Sequence, residues 1–343
     1  MNKVKKLGLT ALAGSLASFS AYAGEVTISG GAEMTWTSKH KDTTGDGNPL
    51  GLKKALTFNY SGELDNGWTW AGHTALADSA TGDVFASLTS AGLAITMGDA
   101  GSITLGQSMN GAIGAIDDVM PTAWEESWNG QATAPALVGA DTNGTHIDYN
   151  SPDMGGTSFE LTWNPDRGAS ITGGGATADG TAEAWSIAIK SNAGGIEGLD
   201  IGAGYGEVKR VGSVSLGYAH DSEEVTGYIK YTVGPITLGY QEHYEDDGNR
   251  TRAGVDDYES QAWGISFLVN DNLSVSYGEF DSTKQVNDTT ADVELSLDSM
   301  QIAYTMGGVS MRYADNQVDN YGYQNMDGAW DREARVISVA MAF

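Results

Sequence analysis

The sequence predicts an all-β fold, a transmembrane antiparallel β-barrel of 16 strands with 18 as the alternative, and three observations carry this reading. Apolar and polar residues alternate with period two, in runs longer than the average globular strand of about 5–6 residues. The connections between those runs alternate between short turns and long polar loops, the asymmetry of a barrel inserted from one side of a membrane. The chain opens on an export leader, yet no later apolar run reaches the roughly 18 residues of a spanning helix.

Taken in order, residues 1–23 read as a secretory signal. Lys3, Lys5 and Lys6 form a positive start, residues 7–16 an apolar stretch diluted by Thr and Ser, and Ala21-Tyr22-Ala23 a small-x-small cleavage site. Cleavage after Ala23 leaves residues 24–343 as one barrel domain. Its first segment sets Val26, Ile28, Gly30, Ala32, Met34 and Trp36 against Thr27, Ser29, Gly31, Glu33, Thr35 and Thr37. The second sets Leu52, Leu56, Phe58, Tyr60 and Leu64 against Lys53, Thr57, Asn59, Ser61 and Glu63, and Asp65-Asn66-Gly67 then makes a tight hairpin turn.

The same pattern returns to the end of the chain. Trp185, Ile187 and Ile189 alternate with Ser186 and Lys190, and Val225, Ile229, Tyr231 and Val233 with Thr226, Tyr228 and Lys230. Gly234-Pro235, Asn270-Asp271-Asn272 and Gly307-Gly308 are short turns; longer polar loops fall at 38–51, 164–181, 245–257, 282–292 and 316–331. About seventeen segments qualify, and a single-chain bacterial barrel needs an even number. Segments 83–97 and 212–220 are the ambiguous ones, which leaves 16 as the count.

Charge and composition exclude several functions. The chain has 18 Lys+Arg against 45 Asp+Glu, a net charge of −27; the leader takes three Lys and no acid with it, leaving −30. Such a surface repels nucleic acid, whose binding needs clustered cations. The absence of Cys removes disulfides, thiolate catalysis and cysteine-ligated metals. No Gly-x-Ser-x-Gly elbow, P-loop or His-Glu-x-x-His motif occurs, and Ser38-Lys39-His40-Lys41 is an isolated Ser-x-x-Lys match. His40, His73, His146, His220 and His243 have no metal-ligand spacing. No enzyme and no cofactor are expected. The acidic stretches 42–48 and 242–257 are the places where oxygen ligands could hold Ca²⁺, although neither fits the twelve-residue calcium loop and a solvated face is the ordinary reading.

Several stretches carry a family resemblance. They are Ala23-Gly24-Glu25-Val26-Thr27-Ile28-Ser29-Gly30, Leu64-Asp65-Asn66-Gly67-Trp68, Gly101-Ser102-Ile103-Thr104-Leu105-Gly106-Gln107, Gly198-Leu199-Asp200-Ile201-Gly202-Ala203-Gly204-Tyr205 and Val233-Gly234-Pro235-Ile236-Thr237-Leu238-Gly239-Tyr240. A last strand with Ile337, Val339, Met341 and Phe343 ends on an aromatic residue. In this order they resemble the trimeric Gram-negative porins, and within them the alphaproteobacterial type. The resemblance covers the whole mature chain. It implies a homotrimer among outer-membrane lipids of a Gram-negative cell, recognition of terminal Phe343 by the barrel-assembly machinery, and passive passage of small hydrophilic solutes.

It also implies that 108–144 is the third loop, folded into the lumen as a constriction. That loop carries Asp117, Asp118, Glu125, Glu126 and Asp141 and no Lys or Arg. Strand phase puts Lys53, His73, Lys190, Lys230 and Arg312 opposite the apolar faces, on the lumen wall that would face those acids. The same phase puts Trp36, Tyr60, Trp68, Trp70, Tyr240, Tyr277, Tyr313 and Phe343 on apolar faces, as candidates for aromatic girdles. Acidic groups at a constriction raise the local concentration of cations. The expected function is therefore a general diffusion channel that prefers cations. A solute-specific channel of the same fold is the alternative, ahead of a barrel enzyme, whose Ser-His pair is missing, or an adhesin.

Overall fold

The computed structural model describes residues 24–40, 48–78, 85–131, 134–139, 144–167, 182–209, 220–246, 248, 255–286, 291–324 and 331–343. Sixteen antiparallel strands form one closed sheet in which each pairs with its neighbours in sequence and β1 closes on β16. They are β1 (Val26–His40), β2 (Leu50–Glu63), β3 (Thr69–Asp78), β4 (Phe85–Thr96), β5 (Ser102–Gln107), β6 (Thr145–Asn150), β7 (Thr157–Arg167) and β8 (Ala182–Ser191), followed by β9 (Leu199–Val208), β10 (Ser222–Val233), β11 (Ile236–Asp246), β12 (Val255–Asn270), β13 (Leu273–Val286), β14 (Val293–Met306), β15 (Val309–Asp319) and β16 (Arg332–Ala342). The ambiguous segment 83–97 holds β4, and of the other, 212–219 lie outside the described residues. The alternative of 18 strands is set aside.

Closure follows from the first and last segments. Gly31 pairs with Ala342 and His40 with Glu333, and the chain ends on reciprocal backbone hydrogen bonds of 3.0 Å between Gly30 and Phe343. With no free edge, each strand is hydrogen-bonded to a neighbour on both sides, which is what allows strands to sit in hydrocarbon. The turns use the expected chemistry: Gly67 has φ 82°, and the Trp68 N–H donates to Asn66 Oδ1 at 3.1 Å. The long connections are shorter than their polar composition suggests. In the acidic stretch 242–257, positions 242–246 belong to β11 and 255–257 to β12, and 247 and 249–254 lie outside the described residues, as do positions 42–47 of the other stretch.

The polarity of this barrel is inverted relative to a water-soluble one. On β10 Val225, Ile229, Tyr231 and Val233 point outward and are exposed, while Ser222, Glu224, Thr226 and Tyr228 are buried inside. On β1 and β2 the outward Val26 and Leu50 are 66% and 69% exposed. An apolar exterior of this extent requires a non-aqueous neighbour. All eight aromatic residues singled out above lie on this exterior or at its rim. Tyr60 and Trp70, 6.3 Å apart, sit near the short turns with Trp68 and Phe343. Trp36, Tyr240, Tyr277 and Tyr313 are each the last apolar outward residue of a run before polar Ser38, Glu242, Glu279 and Asp315. The Tyr277 hydroxyl lies 2.7 Å from Glu279 Oε1 and 2.6 Å from Asp298 Oδ1, within hydrogen-bonding distance of both, so an apolar ring body ends in a polar tip.

The buried core lies inside the barrel, where the connection between β5 and β6 packs on the wall. Ile113 and Val138 meet Ala184 and Val208; Ile116 meets Ala188 and Tyr228; Met120, Trp128 and Leu137 cover Phe280, Leu295, Leu297 and Val318. Each fully buried Ile or Leu contributes roughly 1.5–3 kcal/mol relative to exposure. Two glycines make room for the approach: a Cβ on Gly239 would stand 2.5 Å from Pro121 Cδ, and one on Gly264 3.0 Å from the Pro121 carbonyl oxygen.

Candidate functional site: the inner loop and the wall it faces

The connection 108–144 begins at Ser108, whose φ of 53° turns the chain away from β5 while its N–H donates to the Gly144 carbonyl at 3.2 Å. From there the backbone of its described residues is bonded to inward-facing side chains of β7, β8, β11, β13, β14 and β15. The Ala112 N–H donates to Thr162 Oγ1 of β7 at 2.7 Å, Ile113 N–H to Ser186 Oγ of β8 at 3.3 Å, and Ala123 N–H to Ser276 Oγ of β13 at 2.8 Å. Gln241 of β11 and Gln301 of β14 each take a donor and an acceptor from the loop. Asn316 of β15 donates to the Asn129 carbonyl at 2.6 Å, and the returning arm is held where Ala136 N–H meets the Tyr323 hydroxyl at 2.7 Å. With no strand to pair with, the loop's peptide groups are bonded by these side chains and by one another, as between Ala115 N–H and the Gly111 carbonyl at 2.8 Å.

This path brings Glu125 toward β1 and β2, while Asp118 and Glu126 lie in a recess lined by β12, β13 and β14. Glu125 lies within electrostatic reach of Lys53 and Glu33, and it is hydrogen-bonded to Glu126. Burial, that shared hydrogen bond and the charge of Glu126 together push the Glu125 carboxyl up to about 7, against the opposing pull of Lys53. Asp118 is also pushed up to about 7, first by burial and then by Glu126 and Asp117, with the Met120 N–H working in the other direction. Asp118 is thus repelled by Glu126 and Asp117, and Glu125 by Glu126 and Glu33. Arg312 of β15 completes the group, with Nη1 3.3 Å from Glu33 Oε1 and its guanidinium 5.7 Å from the centre of the Trp124 ring.

Residues 8–298 match the Gram-negative porin family. The chain belongs to that family. As a porin it is an outer-membrane diffusion channel, not an enzyme, and porins work without a cofactor. No curated protein sequence matches the chain. Among solved structures it resembles an anion-selective porin from Comamonas acidovorans, with TM-score 0.67, 16% identity, and coverage of 93% of this chain and 100% of that one. OmpF of Salmonella typhi in complex with daunomycin gives 0.66 at 13% identity, covering 93% and 98%. OmpT of Vibrio cholerae in its trimer form gives 0.63 at 12% identity, covering 94% and 100%.

The sequence-derived site residues of this porin fall at different levels of the lumen. Lys53 faces the loop, whereas Lys190 and Lys230 lie two positions nearer the short turns than Ala188 and Tyr228, on which Ile116 packs. Lys230 is paired with Asp200 at 3.0 Å, and Arg312 with Glu33, so neither is a free counter-charge to the loop. His73 hydrogen-bonds Ser90 Oγ at 3.2 Å, beside Gly92 and the root of the loop at Met109. Asp141 lies outside the described residues. Glu33, Trp124, Gln241 and Gln301 were not singled out by sequence. Glu33 was visible as the one acid on the polar phase of β1, directly opposite Lys53 in register. Among the described residues, no group of three or more His, Asp or Glu is placed to hold a metal ion.

Proposed function

We propose that this porin is a general diffusion channel for small hydrophilic solutes and ions, that 108–144 is its constriction, and that it prefers cations. The observation that carries the reading is the charge balance of the loop's acidic residues and the charged side chains linked to them. Asp117, Asp118, Glu125, Glu126 and Glu33 stand against Lys53 and Arg312, five acids to two bases. With Asp118 and Glu125 protonated the balance narrows to three against two. Carboxylates at the narrowest part concentrate cations, and a screening length of about 8 Å at physiological salt keeps the preference moderate. The anion selectivity named for the Comamonas porin indicates that the sign of selectivity is set by side chains on a common fold.

The assembled state follows from the same reading. Residues 1–23 are a leader cleaved after Ala23, and terminal Phe343, exposed beside Gly30, is the recognition element for the barrel-assembly machinery. The outward aromatic residues form girdles at the two interfaces with outer-membrane lipid. The trimer form of the Vibrio neighbour supports a homotrimer here. Recording from the purified protein in a planar bilayer tests the channel itself: discrete conductance steps that grow with KCl concentration are expected, and a protein that inserts without conducting would refute it.

A further inference from the structure

We infer that Gln241 and Gln301 are the positioning residues of the ion preference, because each buried carboxamide grips the inner-loop backbone around one of the loop's two acidic pairs. The inference rests on the reading that these pairs set the preference. Gln241 Oε1 accepts from the Val119 N–H at 3.1 Å and its Nε2 donates to the Ile116 carbonyl at 2.6 Å. Those two peptide groups bracket Asp117 and Asp118. Gln301 Oε1 accepts from the N–H groups of Trp124 and Glu125, both at 3.0 Å, and its Nε2 donates to the Glu125 carbonyl at 2.6 Å, immediately before Glu126.

Both side chains are fully buried and are themselves held in place. Gln241 Nε2 also donates to Thr226 Oγ1 at 3.0 Å, and Gln301 Nε2 to Ser299 Oγ at 2.9 Å. A carboxamide carries a donor and an acceptor on one planar group, so it can do for a loop what a neighbouring strand does for a strand. By contrast, Thr162, Ser186 and Ser276 each accept one N–H, from Ala112, Ile113 and Ala123, and none of these contacts flanks an acid on both sides. Without its carboxamide, each gripped segment has buried peptide groups that only water can satisfy, and it must leave the wall to find it. The acidic pair then moves with it.

The test uses Gln301→Met and Gln241→Met, which keep approximate shape and remove both hydrogen-bonding atoms, with the shorter Gln→Asn variants as a second series should either fail to assemble. Reversal potential in a KCl gradient and open-channel current noise are read on each. Gln301→Met should weaken cation preference and raise the noise. Its effect on reversal potential should vanish when Glu125→Gln and Glu126→Gln are already present and persist with Asp117→Asn and Asp118→Asn. Gln241→Met should show the opposite dependence. Wild-type reversal potential and wild-type noise in assembled variants would overturn the inference. Should the acid-neutralised backgrounds themselves keep the wild-type preference, the charge reading falls, and noise alone then decides: a quiet Gln→Met channel overturns the grip, a noisy one upholds it.

Discussion

The acidic residues of the inner loop do not behave as independent charges. Glu126 sits between Asp118 and Glu125, repels both and shares a hydrogen bond with the latter, and burial adds to the cost of ionising either. A carboxyl whose pKa is raised to about 7 is neutral below that pH and charged above it, whereas an ordinary carboxylate is ionised throughout this range. Cation preference should therefore fall as the pH drops through about 7, as the local balance goes from five acids against two bases to three against two. Reversal potentials measured across this range check the sign; a preference independent of pH would contradict it. Glu126→Gln removes the shared repulsion but not the burial, so it should move the titration part of the way toward acid. The identities of Asp117, Asp118, Glu125 and Glu126 were legible in the sequence as an acid run without any Lys or Arg. Their mutual coupling was not, because it depends on how the chain folds back between 118 and 126.

At the level of the element, the strands were legible because a lipid exterior and a wet interior impose a strict period of two. The face assigned to Leu56 and Thr57 follows from that phase alone, and the register with Leu76 and Ala75 agrees with it. Leu56→Arg places a charge on the apolar exterior and should destabilise the barrel by roughly 2–4 kcal/mol, while Thr57→Arg points into the lumen and should cost little. Unfolding of the two variants in detergent micelles checks the difference, and equal stability would contradict the assigned faces. The inner loop left a fainter trace. Phe280, Leu295, Leu297 and Val318 are apolar residues on inward positions, and each lies where the loop covers the wall. Such breaks in the alternation mark a covered patch, but period-two reading treats them as noise. The level of Lys230 and Lys190 was likewise hidden, since phase fixes the face of a side chain and not its height along the lumen.

For the whole molecule, the exterior of β1 and β2 carries strongly exposed apolar residues, among them Val26 at 66%, Leu50 at 69% and Leu52 at 58%. Native mass measurement in non-denaturing detergent should give three copies of the mature chain; monomer alone would contradict the proposed assembly. The central claim is that the carboxylates of the inner loop, and not the bases of the wall, set the field that a permeating ion meets. The reversal potential of the purified protein in a planar bilayer under a KCl gradient, above pH about 7, tests it most directly. The expected sign is that of cation preference, growing as total salt is lowered and diminishing in the Asp117→Asn, Asp118→Asn variant; anion preference, or a potential unchanged by that variant, would show that the field comes from the wall.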